Sequence, residues 1–267
     1  LNQFTSLMYG SDMMLLVIIT LCILTATAAT IVHIVIHKRM KGAILEPHNE
    51  VTAAVYATFG VLYAVILGLL VSHGQTRRDL VAESSVREAA MLVDIAQASR
   101  SFDPVIADSL RASCLRYAEH VAQKEWSTDL EQNRIKTHHH HFGQIWNIVR
   151  SIDPVGPRQE SVYLSLLDIL GSMSEERYQR IAATGDHMSP FLKVVLLIGA
   201  GVTVVFLWFF GMRDRRIHLM YTWLVTLMLA LVLVLIFALD NPMQQGVGVK
   251  PDAYFRAAED LRTLSVD

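Results

Sequence analysis

The sequence has 267 residues, 52% of them hydrophobic and only 18% charged, with a formal net charge of -2. A soluble domain carries about a quarter charged residues, and a disordered chain is less apolar still, so neither class fits. The near-neutral balance offers no basic field for nucleic acid. Cys22 and Cys114 lie far apart in unlike surroundings, which excludes a disulfide framework and a cysteine metal site.

The apolar excess falls in four runs. The first, residues 13–36, holds no Asp, Glu, Lys or Arg and is closed by His37, Lys38, Arg39 and Lys41. It is too long for the apolar core of a signal peptide, and its positive charges follow it rather than precede it, so it reads as a retained helix. The sequence opens on Leu1 rather than Met, which suggests residues missing or processed upstream. The second run is 51–72, the third 191–210 with Lys193 as its one charge, and the fourth 219–239. Each has about 20 residues, enough to cross about 30 Å of hydrocarbon as a helix. Arg213, Asp214, Arg215 and Arg216 part the third run from the fourth, and Trp208, Tyr221 and Trp223 flank that loop as interfacial aromatics do. Asp240-Asn241-Pro242 ends the fourth helix, and residues 240–267 form a C-terminal tail.

Residues 74–189 differ in character, with 13 Lys/Arg and 16 Asp/Glu. Ile106, Leu110, Cys114, Tyr117 and Val121 recur at helical spacing, as do Tyr163, Leu166, Leu167, Leu170 and Met173. Asp103-Pro104 is a helix start, and the Pro and Gly of 153–157 mark a turn. Nothing breaks residues 75–99, so the second membrane helix is expected to continue to about residue 100, roughly 45–50 residues in all. The fold class is an all-α membrane protein with four transmembrane helices and a helical extramembrane domain between the second and third.

The second helix has two distinct faces. Ala53, Ala57, Gly60, Ala64 and Gly68 form a small face suited to close helix packing. Thr52, Tyr56, Phe59, Tyr63, Ile66, Leu70 and His73 form an aromatic-polar face about 130° round, the candidate for a pore lining or a seam between subunits. The spans hold no Asp or Glu, which argues against a proton relay or an ion-coupled carrier. Lys193 reads as an interfacial anchor. His33 and His37 stand four apart near Thr30, a spacing that can share a metal, but the sequence shows no third ligand. His138, His139, His140 and His141 read as a solvated loop and are the first place to look for a metal; no cofactor is expected. Glu175-Glu176-Arg177 and Arg77-Arg78-Asp79 with Glu83 read as solvated helix faces or i, i+4 pairs. Asp240 opposes the helix dipole, so it is expected to cap the following turn or pair with a basic loop residue. No hydrolase elbow, P-loop, dinucleotide or zinc-protease motif is present, so no enzyme is indicated.

Several residues in order carry a resemblance: Ser72 closing the second span, Glu88-Ala89-Ala90, Tyr117, Glu125-Trp126, then Leu239-Asp240-Asn241-Pro242, Gly246, Val249, Pro251 and Phe255. The sequence resembles the bestrophin-like domain family of mainly bacterial membrane proteins, with Met243 replacing the usual Phe after the proline. The resemblance implies four membrane helices, a homo-oligomeric anion channel and a second helix lining the pore. The alternative is a non-catalytic accessory subunit of a larger membrane complex. The expected partners are therefore the lipid bilayer and either copies of itself or other membrane subunits. The expected site is a bacterial inner membrane. The short loops carry Lys38, Arg39, Lys41, Arg213, Arg215 and Arg216, which by the positive-inside rule sets them in the cytoplasm and the domain in the periplasm. The resemblance implies the opposite orientation.

Overall fold

The structure, a computed structural model, describes residues 2–39, 49–126, 134–210, 214–243 and 248–264, without the side chains of 2–12, 14, 15, 39, 49 and 134–139. Lys41, Arg213 and Gly246, and the side chains of Arg39, His138 and His139, lie outside the described residues.

The described residues are helical, with no strand among them. In chain order they form α1 (Asn2–Arg39), α2 (Asn49–Ser99), α3 (Pro104–His120) running into a π turn (Val121–Glu125), α4 (Arg134–Arg150), α5 (Gly156–Gly185), α6 (Pro190–Trp208), α7 (Arg215–Leu239) and α8 (Asp252–Thr263). Local chemistry sets several starts. The Asp103 carboxylate accepts from the Val105 amide at 2.8 Å and Pro104 follows it. The Ser189 hydroxyl accepts from the Leu192 amide at 3.3 Å ahead of α6. Asp214 does the same for the Arg216 amide at 2.9 Å ahead of α7. Each side chain answers an amide that the first turn cannot bond internally. Gly156 takes φ +80° where the chain turns into α5, a left-handed conformation that a side chain would strain.

The chain divides into two units. One comprises Leu1–Thr76 and His187–Asn241. Its α1, α2, α6 and α7 are each long and apolar enough to cross a membrane. Its apolar centre is small: Tyr63 and Leu67 of α2, Leu196 of α6, Leu233 and Ile236 of α7. Only 11% of the apolar stretch of α2 is buried within the chain, against 28% for α7, so α2 keeps the most surface for lipid or other chains.

The other unit comprises Arg77–Asp186 and Pro242–Asp267. Its core is that of a water-soluble helical domain, with Leu92 and Ile95 of α2, Leu110, Cys114 and Tyr117 of α3, Ile145 and Val149 of α4, Leu166, Leu170 and Met173 of α5, and Tyr254 and Leu261 of α8 all buried. The C-terminal segment belongs to this core. The Val249 amide donates to the Pro242 carbonyl at 2.8 Å, and α8 packs against α3.

Candidate functional site

The membrane part of α2 carries the candidate surface. Its aromatic face packs within the chain. Tyr63 is buried and its hydroxyl donates to the Leu196 carbonyl at 2.7 Å. Phe59 stacks on Tyr63 with ring centres 6.1 Å apart and also meets Phe206. Tyr56 stands edge-on to Phe210 at 5.7 Å. Leu70 joins the same cluster, Thr52 is half-buried, and Ile66 and His73 are exposed.

The small face is the one left open. Ala53, Ala57, Ala64 and Gly68 are exposed and Gly60 is half-buried. A Cβ at Gly60 or Gly68 would meet nothing within 4 Å. The close approaches within the chain occur at other glycines. A Cβ on Gly199 would lie 2.5 Å from the Tyr63 ring, and one on Gly74 would lie 2.8 Å from Leu239 Cβ. The packing partner of the Tyr63 face is therefore a glycine of α6, which the sequence of α2 alone does not reveal.

Asp240, at the end of α7, closes the other junction of this unit. One carboxylate oxygen accepts from the Met188 amide at 2.6 Å and the other pairs with Lys193 at 2.7 Å. His187 Nδ1 lies 3.1 Å from the Asp240 carbonyl. Lys193 thus has an ionic partner within the chain.

His33 is buried within the chain. Its ring meets His218 edge-on at 4.3 Å between centroids and lies 6.1 Å from His37. His33 Nδ1 is 3.0 Å from the Thr222 hydroxyl, and His218 Nε2 is 2.8 Å from the Leu207 carbonyl. A cavity of about 10 Å³ opens there, lined by His33, Ile34, His37, Arg215, His218 and Leu219.

In the domain unit, the His141 ring lies tilted against His120 at 4.7 Å and edge-on to His140 at 5.5 Å between centroids. Burial, then the positive neighbours His140 and Arg116, lowers the pKa of His141. Its Nδ1 is buried without a partner. No group of three or more His, Cys, Asp or Glu among the described residues is arranged to hold a metal.

The solvated-face expectation fails for Arg77, Glu176 and Arg177, which are all buried. Arg77 donates to the Ala183 carbonyl at 2.9 Å, Glu176 accepts from Arg87 at 3.0 Å, and Arg177 lies over the Phe142 ring at 5.2 Å. Each lies on a covered side of α2 or α5, which charge density along the sequence does not reveal.

A charged cluster occupies the centre of the domain. Arg180 of α5 donates to Glu88 of α2 at 2.7 Å and to Glu125 of the π turn at 2.8 Å. Tyr254 of α8 donates to Glu88 at 2.8 Å, and Tyr117 of α3 donates to the other Glu88 oxygen. The guanidinium faces the rings of Trp126 at 5.8 Å and Tyr254 at 5.6 Å. Trp126 Nε1 in turn donates to the Val249 carbonyl at 2.6 Å. Burial foremost raises both tyrosines well above their ordinary pKa. Burial alone would lower Arg180, but Glu88, Tyr254, Glu125 and Tyr117 outweigh it and raise its pKa well above the ordinary value. The cluster is closed and satisfied, so its chemistry is to fix five elements in one register. Glu88, Tyr117, Glu125, Trp126 and Val249 are residues that carry the resemblance noted above. Arg180 and Tyr254 carry no such mark in the sequence. Arg180 sits in a charged helix with nothing local to set it apart, and Tyr254 adjoins the motif residue Phe255, which is itself exposed.

The sequence profile of the Bestrophin-like domain matches residues 23–254. Among curated proteins, none matches. Among solved structures, two variants of a bacterial bestrophin homologue from Klebsiella pneumoniae superpose with a TM-score of 0.65 at 14% identity, covering 93% of this chain and 99% of theirs. A crystal structure described as that of a membrane protein variant matches equally well at 13% identity. At such identity these neighbours establish the shared fold, an all-α membrane architecture.

Proposed function

The chain belongs to the Bestrophin-like domain family, and on that premise we propose that it assembles with copies of itself into a ring-shaped ion channel lined by α2. The observation that carries this reading is the division of the membrane part of α2 into one covered face and three uncovered ones. Tyr56, Tyr63, Leu67 and Leu70 face α6 and α7 of the same chain. At about 100° per residue, the opposite side presents Ala54, Thr58, Val61, Val65 and Leu69, all exposed. The small face lies about 90° to one side of that row, and Val55, Leu62 and Ile66 lie about 90° to the other. A helix in a ring has this anatomy: its own chain outside, the axis inside, and two unlike flanks for its two neighbours. Small residues on one flank receive the large ones of the next copy, a head-to-tail contact that closes by rotation.

The axis then carries Thr58, Val61, Val65 and Leu69 in place of the Tyr63 face. An apolar lining of this kind gates by dewetting and passes weakly hydrated ions, in keeping with the anion class that the resemblance implies. Family membership favours the cytoplasmic side for the domain, against the charges of the short loops. Labelling of single cysteines introduced at exposed Val155 in intact cells tests that orientation.

The deciding experiment is the native particle, imaged and weighed, with ion flux measured in reconstituted vesicles. The channel reading requires a closed ring of identical chains, and Val65→Asn is expected to raise basal flux about tenfold or more by wetting the constriction. A lone copy among unrelated chains would instead establish the accessory-subunit reading.

A further inference from the structure

We propose that the cavity at the end of the α1–α7 pair binds one small monovalent anion of the halide class together with a proton, between His33, His218 and Arg215. Such a site lies within one chain and does not depend on the ring. Its lining decides the sign of the ligand. His33, Ile34, His37, Arg215, His218 and Leu219 supply one permanent cation, three imidazoles and no carboxylate. Arg215 has no ion-pair partner among the described residues. The neighbouring Asp214 carboxylate is engaged by the Arg216 amide at 2.9 Å. From the third helix packed here, α6, come the Leu207 carbonyl and the Trp208 ring, neither of which titrates.

The hydrogen bonds fix what the two inner histidines offer the cavity. The Thr222 hydroxyl donates to the His218 carbonyl at 3.0 Å, so toward His33 it can only accept. The 3.0 Å contact therefore places a proton on His33 Nδ1. A carbonyl only accepts, so the 2.8 Å contact with Leu207 places the proton of His218 on Nε2. His33 Nε2 and His218 Nδ1 remain, on residues only 2% and 4% exposed, with no hydrogen-bond partner among the described residues. As neutral imidazoles they turn lone pairs on an anion. Once either is protonated, that nitrogen becomes a cationic N–H donor. A buried imidazolium beside Arg215 needs a counter-charge, and the anion supplies it. Proton and anion therefore enter together. The Trp208 ring lies 6.4 Å from His33, and its Nε1 is buried without a partner, a further donor at this end that the chain does not answer.

The cavity of about 10 Å³ has room for about one water-sized particle, which suits a halide and is too small for sulfate, phosphate or a lipid headgroup. A bound anion would tie α1 to α7 through charge rather than through apolar contact.

The test titrates the full-length protein in detergent with sodium bromide, with gluconate holding ionic strength constant. Bromide quenches indole fluorescence, and Trp208 stands beside the cavity. Saturable quenching is expected at about pH 5.5, weakening about tenfold per pH unit above the histidine range, the slope of one linked proton. Calorimetry in two buffers of different ionisation enthalpy should show about one proton taken up per anion. Arg215 is exposed, so Arg215→Gln should keep the fold while weakening bromide about tenfold or more. His218→Gln should abolish the linked proton uptake; because that buried variant can misfold, the uptake by the unaltered protein stands as the independent measurement. Sulfate should not compete. Absence of saturable binding at about pH 5.5 would overturn the proposal. So would equal affinity at about pH 8, binding indifferent to Arg215→Gln, or displacement by sulfate.

Discussion

The two units of this chain solve the same packing problem by opposite means. In the membrane unit most polar groups are answered within their own helix, as when Thr203 donates to Gly199, Thr226 to Thr222 and Thr58 to Ala54, each four residues back. Helices meet there through a few close fits: Tyr63 on Gly199 and Leu196, His33 on Thr222, Asp240 on Met188 and Lys193. In the domain, broad apolar stripes enclose a charged centre of Glu88, Glu125 and Arg180. Lipid is as apolar as leucine, so burial of apolar surface cannot select a helix face in a membrane, and shape and single hydrogen bonds do. Water makes that selection in the domain, where charge can be buried only when fully paired.

The largest effect that this comparison predicts is at Arg180. Arg180→Ala leaves Glu88 and Glu125 buried without their counter-charge, which is expected to cost about 3–5 kcal/mol. Denaturant or thermal unfolding of the full-length protein, followed by circular dichroism, reads the loss. An unchanged midpoint would remove the cluster from the account of the domain. The same centre gives a pH dependence with a definite sign. Tyr117 and Tyr254 have folded pKa values raised well above their unfolded ones, so the stability they contribute is full below the unfolded value of about 10 and is lost as pH rises through the folded value. Melting temperature is expected to fall above about pH 10, and Tyr254→Phe should flatten that fall.

The next effect belongs to the membrane unit. Gly199→Ala puts a methyl into the Tyr63 ring and is expected to cost about 1–3 kcal/mol through overpacking. Gly60→Ala, at a position with nothing within 4 Å, should leave the monomer fold unaffected. Gly60→Leu then separates fold from assembly. It should keep the melting profile of the detergent-solubilised chain while changing the particle mass, because only a neighbouring copy meets that face in the proposed ring. An unchanged mass would place the small face against lipid.

This asymmetry explains what could be read from the sequence. In the domain, Leu110, Cys114, Tyr117 and Val121 are buried along one stripe, and Leu166, Leu170 and Met173 along another, because an amphipathic period in water points to its own core. The four spans were legible from apolar length alone. The faces of α2 were not. Tyr63 and Val65 are both compatible with lipid, protein or an axis, and the feature that distinguishes them, the missing side chain of Gly199, lies in another helix 136 positions away. Likewise a hydrogen-bonding and ionic role for Asp240 was legible, but its partners were not: they are the Met188 amide and Lys193 of α6, from the far side of the domain insertion, rather than the following turn or a basic loop residue.

The smallest effect tests whether the contrast reaches helix ends. Asp103 caps α3 in the domain at 2.8 Å, and Ser189 caps α6 in the membrane unit at 3.3 Å. Loss of a cap costs about 0.5–2 kcal/mol where the freed amide cannot be compensated. Asp103 is exposed, so in Asp103→Ala water replaces the carboxylate only in part, and a loss of about 1 kcal/mol is expected. Ser189→Ala removes a longer and weaker bond, while Pro190, which has no amide to satisfy, still presets the first turn. Its cost should therefore fall in the lower part of the range, about 0.5 kcal/mol. Paired thermal unfolding of the two variants checks the order. If Ser189→Ala proves the more damaging, the start of α6 depends on its cap more than on Asp240, and the comparison must be redrawn around that junction.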